Sequence, residues 1–170
     1  MTLGEAKKRV LLLLDESRPK NDLTSKLDRF FDMGQKEVAL YYPIYKIKEY
    51  TQEDLRVLPQ DCFRAVQVIQ NSIWMPYDKT ESLPDTDFSL RYEAFPEDIP
   101  ENATDDTVLS LPDEAVLAVI FFVAAQCNSM EYDQRFFQSF YAQYQGKLSN
   151  LIADPDGPVA VVEVPDYGCI

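Results

Sequence analysis

A group of acidic residues is the part of the sequence whose residue types and spacing could support chemistry. Its members are Asp85, Asp87, Glu93, Glu97 and Asp98. Pro84-Asp85 followed by Glu93-Ala-Phe95 imitates a nuclease pattern in which carboxylates bind Mg²⁺ and a lysine lies beside the scissile phosphate. Phe95 stands where that lysine is needed, so we interpret these acids as solvated loop residues. A metal-dependent hydrolase using Asp85, Glu93 and Asp98 is kept as an alternative.

Other catalytic chemistry has few residues to draw on. The chain of 170 residues contains no His, which excludes Ser-His-Asp and Cys-His catalysis and His-ligated zinc. Its three cysteines, at positions 62, 127 and 169, form no C-x-x-C pair, and Cys127 lies in an apolar stretch typical of a core. No glycine-rich phosphate loop is present among only five glycines. We therefore predict that the protein is not an enzyme and has no metal or cofactor.

The charge balance restricts the class of partner. Sixteen basic and 29 acidic residues give a net charge of −13. A nucleic-acid-binding face needs clustered Lys and Arg to neutralise phosphates, so direct binding of DNA or RNA is not expected. The most apolar segment, 115–125, is too short to cross a bilayer, and we predict no membrane contact.

Hydrophobic periodicity places these residues on an α+β scaffold. Apolar residues at helical spacing predict four helices over about 2–16, 22–42, 111–127 and 130–152. Thr2-x-x-Glu5 and Ser110-x-x-Asp113 have the pattern of capping boxes at helix starts. Gly34 inside the second helix suggests a close crossing with another helix. A single domain over 1–153, a helical bundle with an inserted β module, is the expected architecture.

The β module is predicted over about 45–110. Alternating residues in 45–50, 64–70 and 88–95 indicate strands, and 72–75 and 107–110 add short ones, giving a small antiparallel sheet. Asn71-Ser72 fits a tight hairpin turn. Trp74 and Met75 are predicted to be core residues, with an interface anchor as the alternative for both.

The extended C-terminal tail, 154–170, has no evident partner in its own domain. Four valines fall within residues 159–164, after a segment rich in proline and aspartate. The segment either folds back as an edge strand or adds as a strand to another molecule. For the second case the contact residues are Val159, Val161, Val162, Val164, Tyr167 and Ile170.

Several strings resemble one viral family. They are 27–39 (LDRFFDMGQKEVA), 58–63 (LPQDCF), 92–96 (YEAFP), 111–116 (LPDEAV) and 122–126 (FVAAQ), followed by a Tyr/Phe-rich last helix. In this order they resemble the head–tail connector proteins, or portal adaptors, of tailed bacteriophages, over roughly residues 1–152. The resemblance implies a ring, usually of twelve copies, beneath the portal, which extends the channel for genomic DNA.

The resemblance also implies partners and a location. We expect contacts with the portal protein, with a tail-side stopper or completion protein, and with neighbouring copies of the chain. DNA would pass the channel without specific binding, and the protein would be made in the bacterial host cytoplasm and reside in the virion. Subunit contacts are expected at Phe30, Tyr41, Trp74, Tyr141 and Tyr144. The alternative function is a small acidic interaction protein, a DNA mimic or inhibitor, that binds a basic partner through residues 78–106.

Overall fold

The computed structural model describes residues 1–16, 21–78, 82–101, 103–130 and 134–151. These residues form an α+β structure with four helices and a four-stranded antiparallel sheet, as the sequence predicts. The elements in chain order are α1 (Leu3–Leu13), α2 (Asn21–Ala39), β1 (Ile44–Tyr50), β2 (Cys62–Gln70), β3 (Ile73–Pro76), β4 (Phe88–Ala94), α3 (Asp113–Met130) and α4 (Gln134–Asn150).

The described residues divide into two compact units. The helical unit comprises Met1–Ile44 and the described residues from Phe95 onward, and the sheet unit comprises Tyr45–Ala94. The sheet therefore ends at Ala94, earlier than the predicted limit of the β module. Residues 107–110, predicted as a strand, form one isolated bridge in the described part of the chain, between Val108 and Thr2, because Thr2 is the N-cap of α1 and its segment becomes helical at Leu3.

The sequence predicts a capping box at the start of the first helix and another at the start of the third, and the structure contains only the first of them. Thr2 accepts a hydrogen bond from the Glu5 backbone N–H, and the Glu5 carboxylate accepts one from the Thr2 N–H, which confirms the predicted capping box. The second predicted capping box is wrong. Helix α3 begins at Asp113, and the Ser110 hydroxyl instead accepts from the backbone N–H of Glu97 at 3.4 Å.

The core of the helical unit surrounds α3, which packs against α1, α2 and α4. An added Cβ on Gly34 of α2 would lie 2.9 Å from Phe122 Cδ1 and 3.0 Å from Val119 Cγ1 on α3. The glycine therefore allows a close approach of the two helices, as its place in an otherwise regular helix suggests.

The sheet has the strand order β1-β4-β2-β3, so β1 and β3 are its edges. Asn71 and Ser72 connect β2 to β3 with φ values of 51° and 64°. Positive φ at both central residues is the mark of a type I′ hairpin turn, which confirms the turn predicted there. The turn sets a register in which Gln70 faces Ile73 and Ile69 faces Trp74.

A small separate cluster stabilises the sheet unit. The rings of Tyr50 on β1 and Phe88 on β4 stack with centroids 4.7 Å apart, and the Tyr50 hydroxyl donates to the Val57 carbonyl at 2.7 Å. Val68 and Leu90 face each other across β2 and β4 within the same cluster. One face of the sheet is thus buried within its own unit.

Candidate functional site

The acidic residues that the sequence brings together are separated in the structure. Glu93 is buried in the sheet unit and accepts from Arg64 Nε at 2.5 Å. Asp98 belongs to the helical unit, where its carboxylate lies 2.6 Å from Lys36 Nζ. Asp87 accepts from the backbone N–H of Gln52 at 2.9 Å. Each of these three carboxylates therefore has its own partner.

Within the described residues, no three His, Cys, Asp or Glu side chains are grouped so that they could hold a metal ion. Two ionisable groups of the sheet unit, Cys62 and Tyr92, have their pKa values moved away from neutrality. Burial raises the pKa of the Cys62 thiol, with a further contribution from nearby Asp61, so the nucleophilic thiolate is disfavoured. Burial also raises the pKa of Tyr92 to about 12. The metal-dependent hydrolase alternative gains no support from this arrangement.

An exposed apolar strand is the most distinctive surface feature of the sheet unit. Ile73, Trp74 and Met75 on β3 are 62%, 47% and 39% exposed, so the prediction that Trp74 and Met75 are core residues is wrong. The reason is topological, because β3 is an edge strand and β2 covers only one of its two long sides. Side chains alternate along a strand, so apolar groups project from both faces of this edge.

A buried arginine of β4 lies close to the Trp74 ring. The Arg91 guanidinium on β4 lies 4.5 Å from the Tyr45 ring centroid and 5.9 Å from that of Trp74. Arg91 also donates to the Gln67 side chain at 3.4 Å and is itself buried. Aromatic rings around an arginine are the composition of many interface hot spots. We name Tyr45, Trp74 and Arg91 the arginine–aromatic cluster.

A second apolar surface lies in the loop between β1 and β2. Arg56 braces this loop, because it donates to the carbonyls of Thr51 at 2.6 Å and Asp85 at 2.9 Å and lies over the Phe88 ring. The braced loop nevertheless leaves Leu55 82% exposed, with Val57 also exposed. Sequence reasoning missed these residues. The available signal was Leu55-x-Val57-Leu58, three apolar residues in a segment with no strand or helix pattern.

The residues predicted for subunit contacts have different environments. Tyr41, two residues after the end of α2, and Tyr141 on α4 are exposed, and Phe30 is partly buried against the helical core. Tyr144 is only 3% exposed, and its ring contacts Phe122 edge-on with centroids 5.4 Å apart. Tyr144 is therefore a core residue of the protomer, because α4 directs it toward α3. The predicted tail contacts, Val159, Val161, Val162, Val164, Tyr167 and Ile170, lie outside the described residues.

Comparisons with known proteins leave the family open. The sequence matches no protein-family model, and no curated protein is significantly similar to it. Among the described helices, none combines the length and the apolar character needed to cross a bilayer.

Proposed function

We propose that the chain is a structural subunit of a tailed-phage head–tail connector, which forms a ring beneath the portal and extends the DNA channel. The observation that carries this proposal is the exposed apolar edge strand β3 with the arginine–aromatic cluster beside it. Exposed apolar groups of this kind are costly for an isolated protein unless another molecule covers them. A ring subunit covers such surfaces with its neighbours or its partners.

The architecture gives further support. An α+β fold with a sheet inserted between α2 and α3 agrees with what the resemblance to portal adaptors implies. The net charge of −13 suits a channel wall, since an acidic surface repels phosphates and does not retain passing DNA. In this function the portal contacts residues 159–170, and the tail-side completion protein contacts the opposite end of the ring.

Ring formation is tested by mass photometry of the purified chain, alone and mixed with its portal. The proposal predicts a closed oligomer in at least one of these conditions. Ile73→Glu, which places a charge on the exposed edge strand, should prevent its assembly, whereas Val108→Glu in the helical unit is the matched exposed control. A chain that stays monomeric in both conditions contradicts the proposal.

A small acidic interaction protein remains the second candidate, because exposed acids such as Glu101, Asp105 and Asp106 lie within residues 78–106. Such a protein would bind a basic partner through charge, and its affinity would fall steeply with ionic strength. Pull-down from host extract at 50 mM and at 500 mM salt, as rough working values, separates the two functions. Capture of a basic protein at low salt only, by a monomeric chain, favours the second candidate.

A further inference from the structure

The loop between β1 and β2 presents apolar side chains from a backbone that hydrogen bonds hold in place. Leu55 and Val57 are 82% and 64% exposed. The Thr51 N–H and hydroxyl both donate to the Asp54 carboxylate, at 2.7 and 2.8 Å, and Arg56 donates to the Thr51 carbonyl. The loop is therefore ordered before any partner arrives, and binding through it costs little further conformational entropy.

Acidic side chains surround these two apolar residues. Four exposed carboxylates belong to the loop or to the segment hydrogen-bonded to it: Glu53, Asp54, Asp85 and Asp87. Arg56 attaches that segment by donating to the Asp85 carbonyl at 2.9 Å, and the Gln52 N–H donates to the Asp87 carboxylate at 2.9 Å. Two basic residues, Lys48 on β1 and Arg56, do not balance the four acids. The two apolar residues and the four acids are named the acidic loop surface.

The outer face of α1 has the opposite charge. Leu12 is 81% exposed and Leu13 is 38% exposed. Lys8 and Arg9 precede Leu12 by four and three residues, so these side chains share one face of the helix, and both basic residues are exposed. The carboxylate of Glu5, one turn earlier, is engaged in the capping box. We name Lys8, Arg9, Leu12 and Leu13 the basic helix face.

The two surfaces complement each other and do not complement themselves. Each presents exposed apolar side chains, and the charges around them have opposite sign. Opposite charges guide two surfaces to each other, whereas like charges brought together cost free energy. Neither surface therefore suits the same surface of a second copy.

One chain supplies both surfaces, the acidic loop surface in the sheet unit and the basic helix face in the helical unit. Identical copies can therefore associate through unlike surfaces. A contact of this kind is heterologous, and it generates a ring when the rotation closes and a filament when it does not.

The C-terminal tail is a poorer match for the acidic loop surface. Residues 154–170 contain four acidic residues and no Lys or Arg, so charge disfavours their binding there. Their charge does have the sign that the basic helix face needs. An experiment must therefore separate the tail of the same chain from a second copy as the occupant of that face.

We infer that the acidic loop surface of one copy binds the basic helix face of the next copy. The apolar residues of the two surfaces are buried together in this contact, and Lys8 and Arg9 face the acids of the loop surface. The inference goes beyond the proposed function, which rests on β3, because it assigns a separate contact that orders the copies head to tail.

Two variants each remove one surface. Leu12→Glu places an acid in the basic helix face, and Leu55→Glu places an acid at the centre of the acidic loop surface. Val108→Glu, at a position that is 70% exposed and belongs to neither surface, is the matched control. Sedimentation velocity of the full chains without portal, at several protein concentrations, measures association, and circular dichroism checks that each variant is folded.

We expect the wild type and the control to associate as the protein concentration rises, and each surface variant alone to associate at least about tenfold more weakly. An equimolar mixture of Leu12→Glu and Leu55→Glu should form a dimer and nothing larger. The reason is that the first variant keeps an intact loop surface and the second an intact helix face, which allows one contact per pair. Association should also weaken between about 50 mM and about 500 mM salt.

Exchanging the charges tests the contact in a way that a loss of folding cannot imitate. Lys8→Glu/Arg9→Glu and Glu53→Lys/Asp85→Lys should each weaken association, because each brings like charges together. The chain that carries all four substitutions should recover association, since opposite charges then face each other again.

Four results would overturn the inference. The wild type can stay monomeric at every concentration. The mixture of the two variants can stay monomeric while the wild type associates, which means that other surfaces join the copies. The four charge exchanges together can fail to restore association. Association can appear only after the four tail acids are changed to amides, which means that the tail of the same chain covers the helix face. A ring that forms with the portal while the mixture stays monomeric would reject this contact and leave the proposed function standing.

Discussion

Asp32 on α2 accepts a hydrogen bond from the backbone N–H of Ile99 at 3.0 Å, which attaches the segment after the sheet to the second helix. Neighbouring residues of α2 make the same attachment. Gln35 donates to the Glu97 carbonyl at 2.6 Å, and Lys36 lies 2.6 Å from the Asp98 carboxylate. Positions 32, 35 and 36 share one side of a helix. A polar stripe on α2 thus holds residues 97–99 in place.

Loss of the Asp32 carboxylate should destabilise the helical unit. In Asp32→Ala the Ile99 N–H, which is partly buried, loses its acceptor, and the expected cost is about 1–3 kcal/mol. Asp32→Asn keeps a side-chain oxygen and should recover part of that free energy of unfolding. Urea denaturation followed by circular dichroism measures both variants. Asp106→Ala, at an exposed position, is the control, and an Asp32→Ala midpoint equal to that of the control would contradict this role of Asp32.

Two helical glycines should respond in opposite directions to alanine. Gly34→Ala gains helix propensity but places a Cβ 2.9 Å from Phe122 Cδ1, and overpacking of this kind costs about 1–3 kcal/mol. Gly146 on α4 has no atom within 4 Å of an added Cβ, so Gly146→Ala should stabilise the protein by about 1 kcal/mol. Thermal melts of the two variants compare them directly. Equal stabilisation by both would show that α2 and α3 do not approach each other this closely.

The hairpin turn offers a stabilising substitution. Ser72 has a φ of 64°, a conformation that costs a residue with a Cβ and that glycine adopts freely. Ser72→Gly should raise the free energy of unfolding by about 0.5–1 kcal/mol. Ser89→Gly, at the second residue of β4 where it pairs with Ile69 of β2, should lower it, since glycine weakens a strand. Denaturant unfolding monitored by Trp74 emission follows the sheet unit, and destabilisation by Ser72→Gly would argue against the type I′ turn.

The Tyr144 hydroxyl makes stability sensitive to alkaline pH. Burial raises the pKa of this group above its ordinary value of 10.0. In the unfolded chain Tyr144 loses its proton near pH 10, whereas in the folded chain it keeps the proton at higher pH. The stabilisation is therefore complete below pH 10 and is lost as the pH rises above it. Burial raises the pKa of Tyr92 to about 12, so this group also makes the free energy of unfolding fall as the pH rises above 10.

Tyr144→Phe tests this dependence. Within the described residues the buried hydroxyl has no hydrogen-bond partner, so its removal should leave stability at pH 7 unchanged or slightly higher. Between pH 9 and pH 11, as a rough range around the ordinary pKa, the free energy of unfolding should fall less steeply in Tyr144→Phe than in the wild type. If the free energy of unfolding falls equally steeply with pH in the two proteins, Tyr144 is not the source of the pH dependence.

Local patterns in the sequence predicted much of the fold. The capping box at Thr2, the turn at Asn71-Ser72 and the close crossing at Gly34 each depend on a few adjacent residues or on one missing Cβ, and all three are present. The four helices and the main strands follow from hydrophobic periodicity, which is also a local property. The start of α3 was misplaced because Ser110 binds Glu97, a residue that sequence spacing does not bring near it.

The sequence by itself determined the α+β class, the absence of histidine chemistry and the acidic balance. Only the tertiary structure decided which side chains are exposed to solvent and which of them lie in the same unit. Trp74 is exposed because β3 is an edge strand, Tyr144 is buried because α4 directs it toward α3, and Glu93 and Asp98 belong to different units. The physical reason is that periodicity fixes which face of an element is apolar. Whether that face meets solvent depends on neighbours that are distant along the chain.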